Sequence, residues 1–329
     1  MTWDDIDWRA LERLRAAFLQ GTAGGADYWR NESELASYDL TFAQRIGWKW
    51  DYALAELSRR GWTPPGGELL DWGCGSGIAG RAFLDHFGVK AVTGLALWDR
   101  SSLAMRFAAG RAAAKYPGLT VTMGLPAIPG VVLISHVLTE LTPEQGQQLA
   151  DFAAGGTAII WVEPGTYDAS LALIAVRERL RTKLNVVAPC MHSAACGILA
   201  PENESHWCHH FASPPPAVFT DGDWARFANF LGIDLGSLPV SFLALDRRPA
   251  PAVPPGAVRV IGGVRVAKPE VRVLGCDAGG VAEKSLARRE FPEVFRRWRK
   301  REVDPLQVWE SAGKAITAVR EFDVDGGKR

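Results

Sequence analysis

Three apolar patterns follow one another along the 329-residue chain. Up to residue 60 apolar positions recur at helical spacing. Leu35, Tyr38, Phe42, Ile46 and Trp50 fall three or four apart, and Asn31 with Glu34 resembles a capping box. Gly61 to Gly67, with Pro64-Pro65, is a loop. Short continuous apolar runs then take over: Leu69-Leu70, Ala91 to Leu97, Leu119 to Met123, Val131 to His136 and Thr157 to Thr166. Each suits a buried strand, and segments such as Ile78 to Phe87 between them have helical spacing. This alternation predicts a doubly wound α/β domain with a parallel sheet and right-handed crossovers. Val240 to Leu245 reads as its last strand, and the proline-rich Arg247 to Gly256 as a linker. Val258 to Cys276 alternates apolar with basic residues and is broken by glycine pairs, predicting a short antiparallel sheet or small barrel. The chain divides into a helical region at 1–60, an α/β domain at 61–248 with a cysteine-rich insertion at 186–215, a basic β-rich module at 257–301 and a tail at 302–329. The last residues of that tail are expected to be disordered.

The first strand runs into Asp71-Trp72-Gly73-Cys74-Gly75-Ser76-Gly77, an acid followed by a glycine at every second position. A strand, a glycine turn and a helix start would bring backbone N–H groups towards a negatively charged ligand. Asp99 follows the second strand about twenty residues after the last glycine, where a doubly wound domain places the carboxylate that accepts ribose hydroxyls. D-x-G-x-G-x-G differs from the G-x-G-x-x-G of nicotinamide dinucleotide sites. It resembles the S-adenosylmethionine loop of Rossmann-like methyltransferases, and Asp99 to Met105 resembles their second motif. On this reading Asp71, Gly73, Gly75, Gly77, Asp99 and Ser135 form the cofactor site. His136 and Glu163, at the ends of the fourth and fifth strands, are the candidate catalytic residues, His136 as a base and Glu163 to orient a substrate or hold the turn after Pro164.

Charge changes this picture only locally. Lys/Arg and Asp/Glu balance at 37 each, yet Ala257 to Arg301 holds twelve basic against five acidic residues. A basic module on a neutral chain suggests a polyanionic partner, and nucleic acid is the usual one. No apolar run reaches the length of a membrane span. The acidic start, Met1 to Asp7, argues against a secretory signal or basic transit peptide. The expectation is a cytoplasmic monomer.

Cysteines carry the second chemical signal. Cys190, Cys196, Cys208 and Cys276 do not have the close pairing of a zinc knuckle. Four thiolates from irregular loops can hold a [4Fe–4S] cluster, which asks only that the sulfurs converge. Histidines at 192, 206, 209 and 210 keep a zinc site open as the alternative, and four unrelated buried thiols would look the same in sequence. Cys74 fits its loop by size. A cytosine-5 methyltransferase nucleophile would follow the fourth strand, which excludes Cys190. Radical chemistry would need three closely spaced cysteines, which are absent. Ser135-His136-Val137-Leu138 also lacks the Asn/Asp-Pro-Pro-aromatic motif of exocyclic amine methyltransferases.

Taken in order, several stretches resemble the methyltransferase-like family associated with the small ribosomal subunit, known chiefly from mitochondria and with bacterial members. They are the Asp71 loop, Asp99-Arg100-Ser101, Ser135 to Leu141, Glu163 to Thr166, Ala188-Pro189-Cys190 with His192, Trp207 to Phe211 and the basic segment around Cys276. Met191, Gly197 and His136 depart from the usual pattern. The resemblance implies S-adenosylmethionine binding, a cluster held by Cys190, Cys196, Cys208 and Cys276, and association with the small ribosomal subunit or its rRNA. Two functions follow: an rRNA methyltransferase, or a non-catalytic assembly factor that binds RNA and retains the cofactor fold.

Overall fold

A computed structural model describes residues 1–20 and 29–322, so the predicted disorder at 323–329 lies outside the described residues. The N-terminal region forms α1 (Trp8–Leu19), α2 (Glu32–Leu40) and α3 (Phe42–Arg59). Asn31 caps α2, its Oδ1 accepting from the Glu34 N–H at 3.0 Å. The periodic run from Leu35 to Trp50 is split between α2 and α3. Thr41 leaves helical geometry (φ −120°, ψ −87°), and its hydroxyl donates to the Ser37 carbonyl at 2.7 Å.

The next part alternates as predicted: β1 (Glu68–Trp72), α4 (Ile78–Phe87), β2 (Gly94–Trp98), α5 (Ser102–Lys115), β3 (Val121–Met123), β4 (Val131–Ser135), α6 (Pro143–Ala153), β5 (Ala158–Pro164) and α7 (Tyr167–Leu180). After it come β6 (Asn185–Ala188), β7 (His210–Ala212), α8 (Gly222–Leu231) and β8 (Leu238–Asp246). The sheet order is β3-β2-β1-β4-β5-β8-β6, with β7 paired to β8. Strands β1 to β5 are parallel neighbours, whereas β8 runs antiparallel to both β5 and β6. This is a Rossmann-like class I methyltransferase sheet. The expectation of an all-parallel sheet fails at β8, because a strand buried on both faces shows the same apolar run whichever way it points.

Alternate residues of each strand feed opposite cores. Leu69, Leu95 and Leu133 pack under α3, α4 and α5, against Trp50, Leu54 and Phe83. Leu70, Ile134 and Trp161 pack against α6 and α7 through Leu149, Leu173 and Leu180. Both layers are dry, as close-packed α/β cores are.

Beyond the linker lie β9 (Ala257–Val266), β10 (Glu270–Asp277), β11 (Gly280–Ala287), α9 (Pro292–Arg299), β12 (Leu306–Ala312) and β13 (Ala315–Glu321). The strands close a barrel in the order β10-β11-β13-β12-β9. Only β11 and β13 pair in parallel, and α9 stands between the third and fourth strands. That is the arrangement of an OB-fold. The predicted tail therefore needs correcting: β12 and β13, within 302–329, complete the barrel. Leu306, Val308 and Ile316 point inward, and exposed polar residues between them gave the segment its tail-like composition. Phe295 and Trp298 of α9 join the barrel core with Val271, Val273 and Trp309. Its outer face carries Arg296, Arg297 and Arg299, followed by Lys300 and Arg301. Arg296 pairs with Glu293 at 2.7 Å, while Arg297, Arg299, Lys300 and Arg301 form no ion pair among the described residues.

Helix α3 fastens the barrel to the sheet domain. The buried Glu56 pairs with Arg60 and with Arg259 of β9. Arg60 also donates to the carbonyls of Val187, Pro189 and Cys190 at 2.6–3.0 Å.

Candidate active site

Strands β1, β2 and β4 end side by side, with Trp72 in register with Trp98 on one side and Ile134 on the other. Over these ends lies a cavity of about 980 Å³, bordered by Gly73, Gly75, Asp99, Ser135 and His136. Trp72 and Trp98 stack at 4.6 Å with their planes 26° apart and also line it. Helices α1 to α3 add Phe18, Tyr38, Phe42, Arg45 and Lys49.

Four of the six predicted cofactor residues, Gly73, Gly75, Asp99 and Ser135, border this cavity. The other two stand behind it. Asp71 is fully buried, its Oδ2 accepting from the Gly80 N–H at 2.8 Å while Oδ1 has no partner. Burial raises its carboxyl to about 7, against the lowering effect of the Gly80 N–H and Arg81. Gly77 opens α4 at φ +81°, and a Cβ there would lie 2.9 Å from the Ala108 Cβ, so only glycine fits.

The loop's N–H groups do not project freely, contrary to the prediction. Those of Gly73 and Cys74 donate to the Trp98 carbonyl at 2.7 and 3.0 Å, and that of Gly75 to Asp99 Oδ2 at 2.9 Å. Asp99 Oδ1 accepts from the Ser101 N–H at 2.9 Å. This carboxylate therefore ties the end of β2 to the loop. A Cβ on Gly75 would meet nothing within 4 Å, so the loop offers its bare backbone to open space. Cys74 is buried, and burial pushes its thiol up.

His136 stands where β4 ends, at φ +56°, a conformation that residues other than glycine seldom adopt. Its Nε2 lies 3.3 Å from Lys49 Nζ and its Nδ1 3.3 Å from Ser135 Oγ, which also accepts from the Trp50 indole at 2.9 Å. Burial, then the Lys49 charge, hold the imidazole neutral. Lys49 is itself lowered to about 8, by burial first and then by Arg45. Glu163 is fully buried and does not border the cavity. Its Oε1 accepts from the Val137 and Leu138 N–H groups, both at 3.1 Å, and from the Trp161 indole at 2.7 Å. It thus anchors the loop after β4, and burial raises it to about 7.

The four downstream cysteines gather where the insertion meets the barrel. Cys190 Sγ accepts from Arg177 Nε at 3.1 Å. Cys208 Sγ lies 3.8 Å from His210 Nε2, and Cys276 Sγ lies 3.7 Å from His192 Nε2. Cys196, Cys208 and Cys276 share one apolar cluster with Ile174, Ile198 and Leu274. Burial pushes the Cys208 and Cys276 thiols up, and the charges of the other cysteines push the same way. As donors the group suits a soft cation, which would relieve that mutual repulsion. Yet among the described residues no group of three or more His, Cys, Asp or Glu side chains stands together as a metal site. The sulfurs share a neighbourhood without closing on a point.

A family profile described as mitochondrial small ribosomal subunit Rsm22 matches residues 111–302, more than half of the chain. The chain belongs to the Rsm22 family. No curated protein matches its sequence. Among solved structures, the magnesium protoporphyrin IX methyltransferase of Synechocystis with bound S-adenosylmethionine is 13% identical. It has a TM-score of 0.40, with 71% of this chain and 95% of that one covered. An S-adenosylmethionine-dependent methyltransferase of Leishmania major is also 13% identical, with a TM-score of 0.37 over 70% of this chain and 82% of that one. No helix among the described residues of this Rsm22-family chain is long and apolar enough to cross a membrane.

Sequence reasoning missed Arg45 and the Trp72–Trp98 stack, whereas Lys49 lies in Ile46 to Trp50, a mix of aromatic and basic residues that reads as core packing with RNA contact as the alternative. The stack was signalled by tryptophans at equivalent ends of neighbouring strands. Arg45 was signalled as a cation interleaved with Phe42, Ile46 and Trp50 on the packed side of α3.

Proposed function

We propose that this chain binds S-adenosylmethionine and methylates RNA of the small ribosomal subunit. The carrying observation is the cavity over the ends of β1, β2 and β4, with the bare Gly75 loop and Asp99 at its rim. Asp99 would hold the ribose hydroxyls, and Trp72 and Trp98 would give an adenine an aromatic wall. When bound, the cofactor supplies an electrophilic methyl group on a sulfonium. The chain's own residues orient the acceptor in line with it and exclude water through Phe18, Tyr38 and Phe42. Ser135 and His136 lie at the end of β4, beside the acceptor's place, and His136 is held neutral, the form in which an imidazole can take a proton. The small-subunit association is taken from the family's description. The OB barrel and the unpaired cations of α9 suit a phosphate backbone.

Cys190, Cys196, Cys208 and Cys276 would hold a [4Fe–4S] cluster, or zinc with the histidines nearby as the alternative. The group would join β10 of the barrel to the insertion.

A specific observation favours the second function, an assembly factor without turnover. Glu163 is fully buried behind the cavity, holding the loop after β4, and the His136 Nε2 faces the Lys49 ammonium, so neither candidate is placed to take a proton from an acceptor. Incubating purified small subunits or their precursor RNA with methyl-labelled cofactor separates the two. Label in RNA, lost in Asp99→Ala, supports the methyltransferase; RNA binding without label supports the assembly factor. Anaerobic purification with iron, sulfide and zinc analysis tests the metal: about four irons per chain indicate the cluster, zinc alone the alternative, and no metal removes both.

A further inference from the structure

Arg45 and Lys49 stand one helical turn apart on α3, and both border the cavity. Among the described residues neither forms an ion pair, although the charge of Asp234 acts on Arg45 and that of Glu163 on Lys49. Arg45 Nη2 donates to the carbonyls of Asp234 and Ser237 at 3.1 and 3.3 Å, but its Nη1 is buried with no partner. Among the described residues the Lys49 ammonium has its polar contact with the neutral His136 ring. Two like charges at this spacing repel, and both residues are half-buried at the cavity wall. Helix α3 packs through Trp50, Leu54 and Leu57 rather than through this pair.

We propose that Arg45 and Lys49 form a subsite for an anionic oxygen group, a carboxylate or a phosphate, at the β4 side of the cavity. The proposal rests on the methyl-transfer reading, which brings two such groups to this place. With its ribose at Asp99 on β2, the cofactor would extend past the β1 loop towards β4, and its amino-acid tail ends in a carboxylate. A nucleotide acceptor carries a phosphate. Either one would accept from the orphaned Nη1 and from Lys49 Nζ. The two repelling cations would then become a charge-assisted clamp.

The test is calorimetric titration of the full chain and of Lys49→Gln, Arg45→Gln and Lys49→Arg. The first pair of probes is S-adenosylhomocysteine and 5′-methylthioadenosine, which lacks the amino-acid tail. The second pair is a nucleoside and its 5′-monophosphate, titrated with S-adenosylhomocysteine present. If the anion is the carboxylate, both Gln variants bind S-adenosylhomocysteine about tenfold or more weaker, the loss of one charge-assisted contact. Binding of 5′-methylthioadenosine then stays unchanged. If it is the phosphate, the variants bind S-adenosylhomocysteine normally and lose the preference for monophosphate over nucleoside. Lys49→Arg retains the effect in either case. Lys49→Gln should melt no lower than wild type, because it removes an unpaired charge; a clear drop in melting temperature would make Lys49 structural and overturn the proposal. Variants that match wild type for all four compounds also overturn it. Wild type that binds neither adenosine compound overturns the methyl-transfer reading instead, and the nucleotide pair, titrated alone, then decides the subsite.

Discussion

Glu163 gathers three N–H donors onto one oxygen and leaves the other buried without a partner. Glu163→Gln keeps the accepting oxygen and should leave the melting temperature at pH 8 equal to wild type or higher. Glu163→Ala strands the donors and should cost on the order of 3 kcal/mol in chemical denaturation. Asp71 and Glu163 also set a pH dependence. Burial raises them from 3.8 and 4.5 to about 7, so between those values the folded chain holds protons that the unfolded chain releases. Their stabilising contribution is full below the unfolded values and is lost as pH rises through 7. Buried histidines such as His136, lowered by burial, act in the opposite sense, so the carboxyl effect is read as a difference: between pH 5 and 8 the melting temperature of Glu163→Gln should rise relative to that of wild type. Lys49, lowered to about 8, changes its charge above that window. At this scale the sequence located the acids but not their tasks. Asp71 and Glu163 stand where strands end, yet the N–H groups that face them come from the first turn of α4 and from the loop after β4, which only the folded chain brings there.

Among elements, the alternation of strand and helix was legible because each buried strand needs an apolar run and each covering helix a stripe. Strand direction was not, so the antiparallel β8 escaped. The break at Thr41 also escaped, since a change in two dihedral angles leaves the apolar spacing intact. The contact between the short turn at Gly197 and the start of β11 lies equally outside sequence reach. A Cβ on Gly197 would come within 2.6 Å of the Val281 nitrogen, and that backbone cannot yield cheaply. Gly197→Ala should push β11 away at a cost of about 1–3 kcal/mol. Limited proteolysis should then cut the 247–256 linker faster than in wild type, with S-adenosylhomocysteine affinity unchanged.

For the molecule as a whole, Glu56 is the joint. It pairs with Arg60, which holds the insertion carbonyls, and with Arg259 of the barrel. Removing it leaves two buried guanidinium groups without their counter-charge, and Glu56→Ala should destabilise by about 3–5 kcal/mol in denaturant titration. The barrel was legible in part. Its basic alternating strands announced a β-rich module, but the closing strands had the mixed charge of a solvated tail. The ordered motifs carried the family, whereas the convergence of four distant cysteines is a property of the tertiary fold. One consequence of the α9 face concerns neither shape nor stability. RNA phosphates hold a condensed layer of cations, and the four basic side chains here, which form no ion pair among the described residues, would release that layer with a gain of mixing entropy as they neutralise phosphates. If all four meet phosphates of a single strand, log affinity should fall against log salt concentration with a slope of about −3, taken from roughly 0.7 per neutralised phosphate. Arg297→Gln should make that slope shallower by about 0.7. Ionic strength alone would then release the RNA from a barrel that has not moved.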